Sequence, residues 1–233
     1  MRRWVLAALL VSAAFTLSGC GGGTPGRAGT AAQATIPLTF STTTTTPTST
    51  IATPTSRPYL GPDGFPMETG PFLAVATTTH LGSVIRGIQC EPLAQLAYRT
   101  YAHLQVYVDG RSRALPGGIG LLDLKPAITP NGLYYDTHTC MYWLHTRAAD
   151  GLVEAESPVP RHFTLGDLFA IWNQPLSRTR VAHARGRVTA TVNGRRWRAN
   201  PASIPLTQHA AIQLAVGRPV PAPQPVDWVG TNF

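Results

Sequence analysis

The sequence predicts a mainly β domain with one or two short helices. Three observations carry that expectation. Apolar residues come in short runs broken by 22 glycines and 21 prolines, the punctuation of many short strands. Residues 98–108 alternate with period two: Tyr98, Thr100, Ala102, Leu104, Val106 and Val108 fall on one face, Arg99, Tyr101, His103, Gln105 and Tyr107 on the other. That is the pattern of a long strand with one buried face. Asp109-Gly110 and Asn193-Gly194 supply the positive φ angles that two-residue hairpin turns require.

The chain begins with a different kind of segment. Arg2 and Arg3 precede an apolar run, Trp4 to Leu17, and then small residues, the three-part layout of an export signal. The run is short for a membrane span, which needs about 20 residues. Leu17-Ser18-Gly19-Cys20 resembles the bacterial lipobox. The resemblance implies that residues 1–19 are a lipoprotein signal peptide and that Cys20 becomes the acylated first residue. The protein would then sit on the cell membrane or outer membrane, facing away from the cytoplasm. Two or three acyl chains anchor stably, since each buried methylene contributes about 0.8 kcal/mol. Residues 21–58 are mostly Gly, Thr, Ser, Pro and Ala, with a run of threonines at 42–46. Such a tract buries too little apolar surface to offset its conformational entropy and is expected to be a disordered stalk. Residues 59–233 suit a single globular domain by length.

Within that domain Glu91 to Ala97 is expected as a short helix, followed by the long strand 98–108. Met141 to Arg147 and Leu152 to Ser157 read as two further strands, the second ended by Pro158 and Pro160. Thr164-Leu165-Gly166-Asp167 resembles a capping box. It opens a helix with Leu165, Leu168, Phe169 and Trp172 on one face. Arg187 to Val192 and Ala211 to Val216 are strands, and the Pro-rich tail from Arg218 is an extended arm. Leu104–Arg111 parallels Val188–Arg195, each followed by proline and isoleucine. Two related β-hairpin units would explain this, as would two unrelated hairpins with the same turn chemistry.

Charge and cysteines narrow the function. The formal charge is +8, and Lys125 is the only lysine. An anionic partner is one reading; scattered solvated arginines is the other. No basic run alternates with aromatics, so no nucleic-acid surface is expected. With Cys20 acylated, Cys90 and Cys140 remain, and two cysteines in an oxidising compartment suggest one disulfide. A metal role for the pair is the alternative.

The strand registers yield the sharpest inference. Arg99, Tyr101 and His103 share a face, as do His145 and Arg147 with Trp143, and Glu154 and Glu156 with Leu152. If 141–147 and 152–157 form a hairpin, these polar residues meet on one side of a sheet. The stretches Ala102-His103-Leu104 with Asp109-Gly110, Cys140 to Thr146, Gly151 to Pro158, Phe163 to Trp172 and Gln174 to Ser177 are similar to an uncharacterised family of bacterial and archaeal exported proteins and lipoproteins. The likeness runs from about Gly87 to the C-terminus and implies an exported domain without implying a reaction. It also implies histidines in many members where this chain has Arg99, Tyr101, Arg147 and Glu154, around histidines matching His103 and His145. Histidines so placed would suit a transition metal.

Two expectations follow. In the first, Arg99 and Arg147 pair with Glu154 and Glu156 as a charge-compensated network, with no cofactor. The protein is then a non-catalytic binding or structural module for an envelope protein or polymer. In the alternative, His103, His145 and Glu156 hold zinc or copper, for binding or for metal-dependent chemistry. Catalysis is the weaker expectation. A triad of Ser157, His145 and Asp150 lacks the strand-Gly-x-Ser-x-Gly-helix setting, and Glu154 with Glu156 as a glycosidase pair competes with pairing to arginine.

Overall fold

The computed structural model describes residues 59–76, 80–231 and 233, so the leader, Cys20 and the stalk expected over 20–58 lie outside the described residues. The described chain is mainly β. In order it forms β1 (Cys90–Glu91), β2 (Tyr98–Val108), β3 (Arg111–Arg113), β4 (Leu124–Thr129), β5 (Gly132–Thr137), β6 (Met141–Tyr142), β7 (Leu144–His145) and β8 (Leu152–Ser157). Helix α1 (Leu165–Ile171) follows. Then come β9 (Leu176–Ser177), β10 (Arg180–Val181), β11 (Ala184–Arg185), β12 (Val188–Val192), β13 (Arg195–Trp197) and β14 (Ala210–Val216).

The main sheet has the order β13-β12-β14-β2-β8-β7, with β3 folded back on the end of β2. All its pairings are antiparallel except β14 with β2, which run parallel from Ala210↔Ala102 to Val216↔Val108. The hairpins β2–β3 and β12–β13 turn at Asp109-Gly110 and Asn193-Gly194, all four residues at positive φ, as the Asp-Gly and Asn-Gly chemistry requires.

β2 departs from its expected single buried face. Ala102, Leu104 and Val106 join the main core. The opposite face is covered as well: Tyr101 packs with Phe65, Leu152 and Phe233, and His103 lies 5.5 Å from the Phe65 ring. The cover comes from the segment before β1 and the C-terminal arm, two ends of the domain that strand periodicity does not connect.

α1 closes the other side. Leu165, Leu168, Phe169 and Trp172 are buried in the main core. The helix starts where the capping box predicts: Asp167 N donates to Thr164 Oγ1 at 3.3 Å and Thr164 N to Asp167 Oδ2 at 2.9 Å. Gly166 is needed because a Cβ there would lie 2.7 Å from the Ala202 carbonyl. Thr164→Ala should cost about 1 kcal/mol, read as a lower midpoint in chemical denaturation; an unchanged midpoint would remove the cap from the account of helix stability.

Two elements differ from expectation. No helix forms over 91–97: Glu91 pairs with Met141 in β1–β6, and Leu93 and Leu96 are exposed. With no apolar stripe to bury, nothing offsets the cost of nucleating so short a helix. Residues 141–147 form two short strands because Trp143 turns aside, its N–H donating to Gln89 and its carbonyl accepting from Glu156 N. Cys90 and Cys140 are joined in a disulfide with Cα atoms 5.4 Å apart, which staples β1 beside β6.

Candidate functional site

β8 lies between β7 and β2, and its register sets the cluster. Glu154 faces His145 across one pairing and Tyr101 across the other; Glu156, two residues on, faces Arg99. Residues two apart on a strand share a face, so both carboxylates lie on the side covered by the chain ends.

His145 is fully buried. Its Nδ1 lies 2.9 Å from the Tyr142 carbonyl. A carbonyl only accepts, so Nδ1 donates to it and Nε2 is the nitrogen turned towards Glu154. Gly120 (φ +74) lets its loop pass so close that a Cβ would lie 2.4 Å from the Leu144 carbonyl and 3.2 Å from His145 Cβ, which holds the ring in place. Nε2 lies 3.5 Å from Glu154 Oε2 and has no hydrogen-bond partner among the described residues.

Arg147 engages the other oxygen of Glu154. Its Nε is 3.4 Å from Oε1, its Nη1 is 3.3 Å from Asp136 Oδ1, and its guanidinium lies 5.7 Å from the centre of the Tyr134 ring. Burial raises the Glu154 carboxyl, but the contact with His145 and the charges of His145 and Arg147 outweigh it and hold the group below its ordinary value. Arg99 does not complete the network. Its side chain is exposed at the start of β2, and it forms no ion pair among the described residues. Glu156 is left with Oε2 buried and unpartnered. Burial, reinforced by Glu154, raises its carboxyl against the opposing charges of His145, Arg147 and Arg99.

His103 is held apart from this cluster. Its Nε2 donates to the Asp150 carbonyl at 2.8 Å. Gly151 (φ +82) permits that approach, since a Cβ there would lie 2.8 Å from the same nitrogen. Burial pushes His103 down to about 4, the Asp150 contact only partly opposing it. Among the described residues, the ligand atoms that come together, within 4.8 Å of one another, belong to His145, Glu154 and Glu156. The expected set of His103, His145 and Glu156 is therefore corrected: Glu154 stands where His103 was expected.

Sequence reasoning missed a second acidic group beside the first. Asp150 is fully buried, with Oδ1 accepting from Leu152 N at 3.2 Å and Oδ2 unpartnered. Burial and the neighbouring Asp150 and Glu154 charges push Asp63 up to about 8, and burial pushes Asp150 up to about 6. The two carboxyls influence one another, so they do not ionise independently. Glu68 is pushed up to about 8 by burial, although Leu115 N donates to its Oε2. In the sequence Asp150 stands out only as a possible triad component and Asp63 not at all; each precedes a glycine, which is the chemistry of a turn.

The components of an acyl-transfer triad are engaged elsewhere: Ser157 Oγ donates to the Val159 carbonyl, His145 Nδ1 to Tyr142, and Asp150 accepts from Leu152 N. No family model, curated protein or solved structure matches the chain.

Proposed function

We propose that this chain is a lipid-anchored protein of the cell envelope whose β domain is a non-catalytic binding or structural module. The Cys90–Cys140 disulfide carries the reading, because disulfides persist in oxidising compartments outside the cytoplasm. Arg2-Arg3, the apolar run and Leu17-Ser18-Gly19-Cys20 support the same location. The Thr- and Pro-rich tract that follows Cys20 supplies reach between anchor and domain. Attachment in this reading is through Cys20; no helix among the described residues is long and apolar enough to cross a membrane.

Replacing Cys20 by alanine should release the full chain from the membrane fraction into the periplasm or medium of a bacterial host. Fractionation and immunoblotting measure this, and a variant that stays with the membrane would overturn the proposal.

A further inference from the structure

We propose that His145, Glu154 and Glu156 bind one divalent transition-metal ion, zinc by the chemistry of the donors. The inference rests on the reading of the domain as a binding module and names its ligand.

Charge is the first argument. Arg147 lies against Asp136 and takes only Oε1 of Glu154. The ligand atoms of His145, Glu154 and Glu156 lie within 4.8 Å of one another, and His145 Nε2 and Glu156 Oε2 have no hydrogen-bond partner among the described residues. A protonated imidazole would serve Glu154 and leave Glu156 Oε2 without a partner, whereas one divalent cation serves all three. An unpaired buried carboxylate is costly enough that a compensating charge is expected. The strand register points Arg99 towards that role, yet its side chain is exposed.

Distance is the second. The 3.5 Å between His145 Nε2 and Glu154 Oε2 is too long for an N–H···O bond. Zinc binds histidine nitrogen and carboxylate oxygen at 2.0–2.2 Å, so two donors at tetrahedral angles lie about 3.4 Å apart. The third donor, from Glu156, lies within 4.8 Å of both.

The surroundings are the third. A metal-bound histidine ordinarily donates its other ring N–H to a carbonyl or carboxylate, which His145 Nδ1 does to Tyr142. Arg147 on Oε1 orients Glu154 in the same outer-shell manner. Three protein donors leave a fourth position for water or a partner's side chain.

The test uses the full chain, purified in detergent after chelator treatment. Zinc(II) is titrated against a chromogenic chelator, and cobalt(II) absorption reports the donor geometry. The expected result is one zinc per chain. Glu156→Gln and His145→Gln, which keep side-chain length, should each weaken binding at least tenfold and alter the cobalt spectrum, while His103→Ala should leave affinity and spectrum unchanged. Near-UV circular dichroism and an intact disulfide identify folded variants, and either glutamine variant suffices. Folded wild type that takes up no stoichiometric zinc, or folded Glu156→Gln or His145→Gln that binds as tightly as wild type, overturns the inference. Release of Cys20→Ala without zinc binding would sink this inference alone. Zinc binding with Cys20→Ala still on the membrane would sink only the envelope reading.

Discussion

Removing the disulfide with the double substitution Cys90→Ser and Cys140→Ser should cost about 4 kcal/mol, the chain-entropy expectation for a loop of this size. The bridge spans a sequence separation of 50. Inside it lie β2, β3 and the β4–β5 hairpin; β6 and then β7 follow directly. Without the bridge β1 and β6 are held by two residue pairs, Cys90↔Tyr142 and Glu91↔Met141, too few to survive alone. His145 lies just beyond this staple, so its ring should lose order with it. Urea denaturation with and without reductant measures the effect. A loss below about 1 kcal/mol would mean that the reduced, unfolded chain is already compact across this loop.

Stability should fall as pH rises from about 6.5 to 9, by on the order of 4 kcal/mol. The sign follows from the buried carboxyls. Asp63 and Glu68 are pushed up to about 8 and Asp150 to about 6. Between their ordinary values and these, the folded chain holds protons that the unfolded chain has released. This stability is fully present below the ordinary carboxyl range and disappears as pH climbs through the folded values. His103 works in the opposite sense: burial pushes it down to about 4, so its contribution is present above its ordinary value and is lost as pH falls from about 6.5 to 4. Three carboxyls act against one histidine between about 4.5 and 6, so these groups leave stability falling with rising pH through that window and highest near pH 4. Thermal unfolding across pH 5–9 measures it, and the double variant Asp63→Asn with Glu68→Gln should flatten the alkaline limb. An alkaline limb that stays equally steep in the folded double variant would assign the effect to other groups.

Much of the sheet is legible in the residues. Asp109-Gly110 and Asn193-Gly194 place two hairpins because their backbone demands are local. Thr164 and Asp167 place α1 for the same reason. The β4–β5 hairpin was missed although Asn131-Gly132 lies at its turn: Lys125 and Pro126 interrupt the alternation of β4. The parallel pairing of β14 with β2 leaves no local mark. At the site, period-two counting brought the polar residues to one face. It could not decide between His103 and Glu154, because that choice is made by the Asp150 carbonyl in a turn beyond the strand. Asp63 and Glu68 were invisible because their burial depends on an early segment folding back over residues far along the chain.

The parallel ladder also sets an order of assembly. β2 is the interior strand beside the cluster's β8, and one of the three strands paired with it is the last described strand of the chain. Pairing them closes a loop of on the order of a hundred residues, the kind of non-local step that slows folding. A chain emerging from its N-terminus can form the β2–β3 and β4–β5 hairpins and reach β8, but half of β2 stays an open, adhesive edge until residues 210–216 arrive. The domain therefore does not mature strand by strand. It remains unfinished until its end is present, and a truncation before Ala210 exposes the strand most in need of cover.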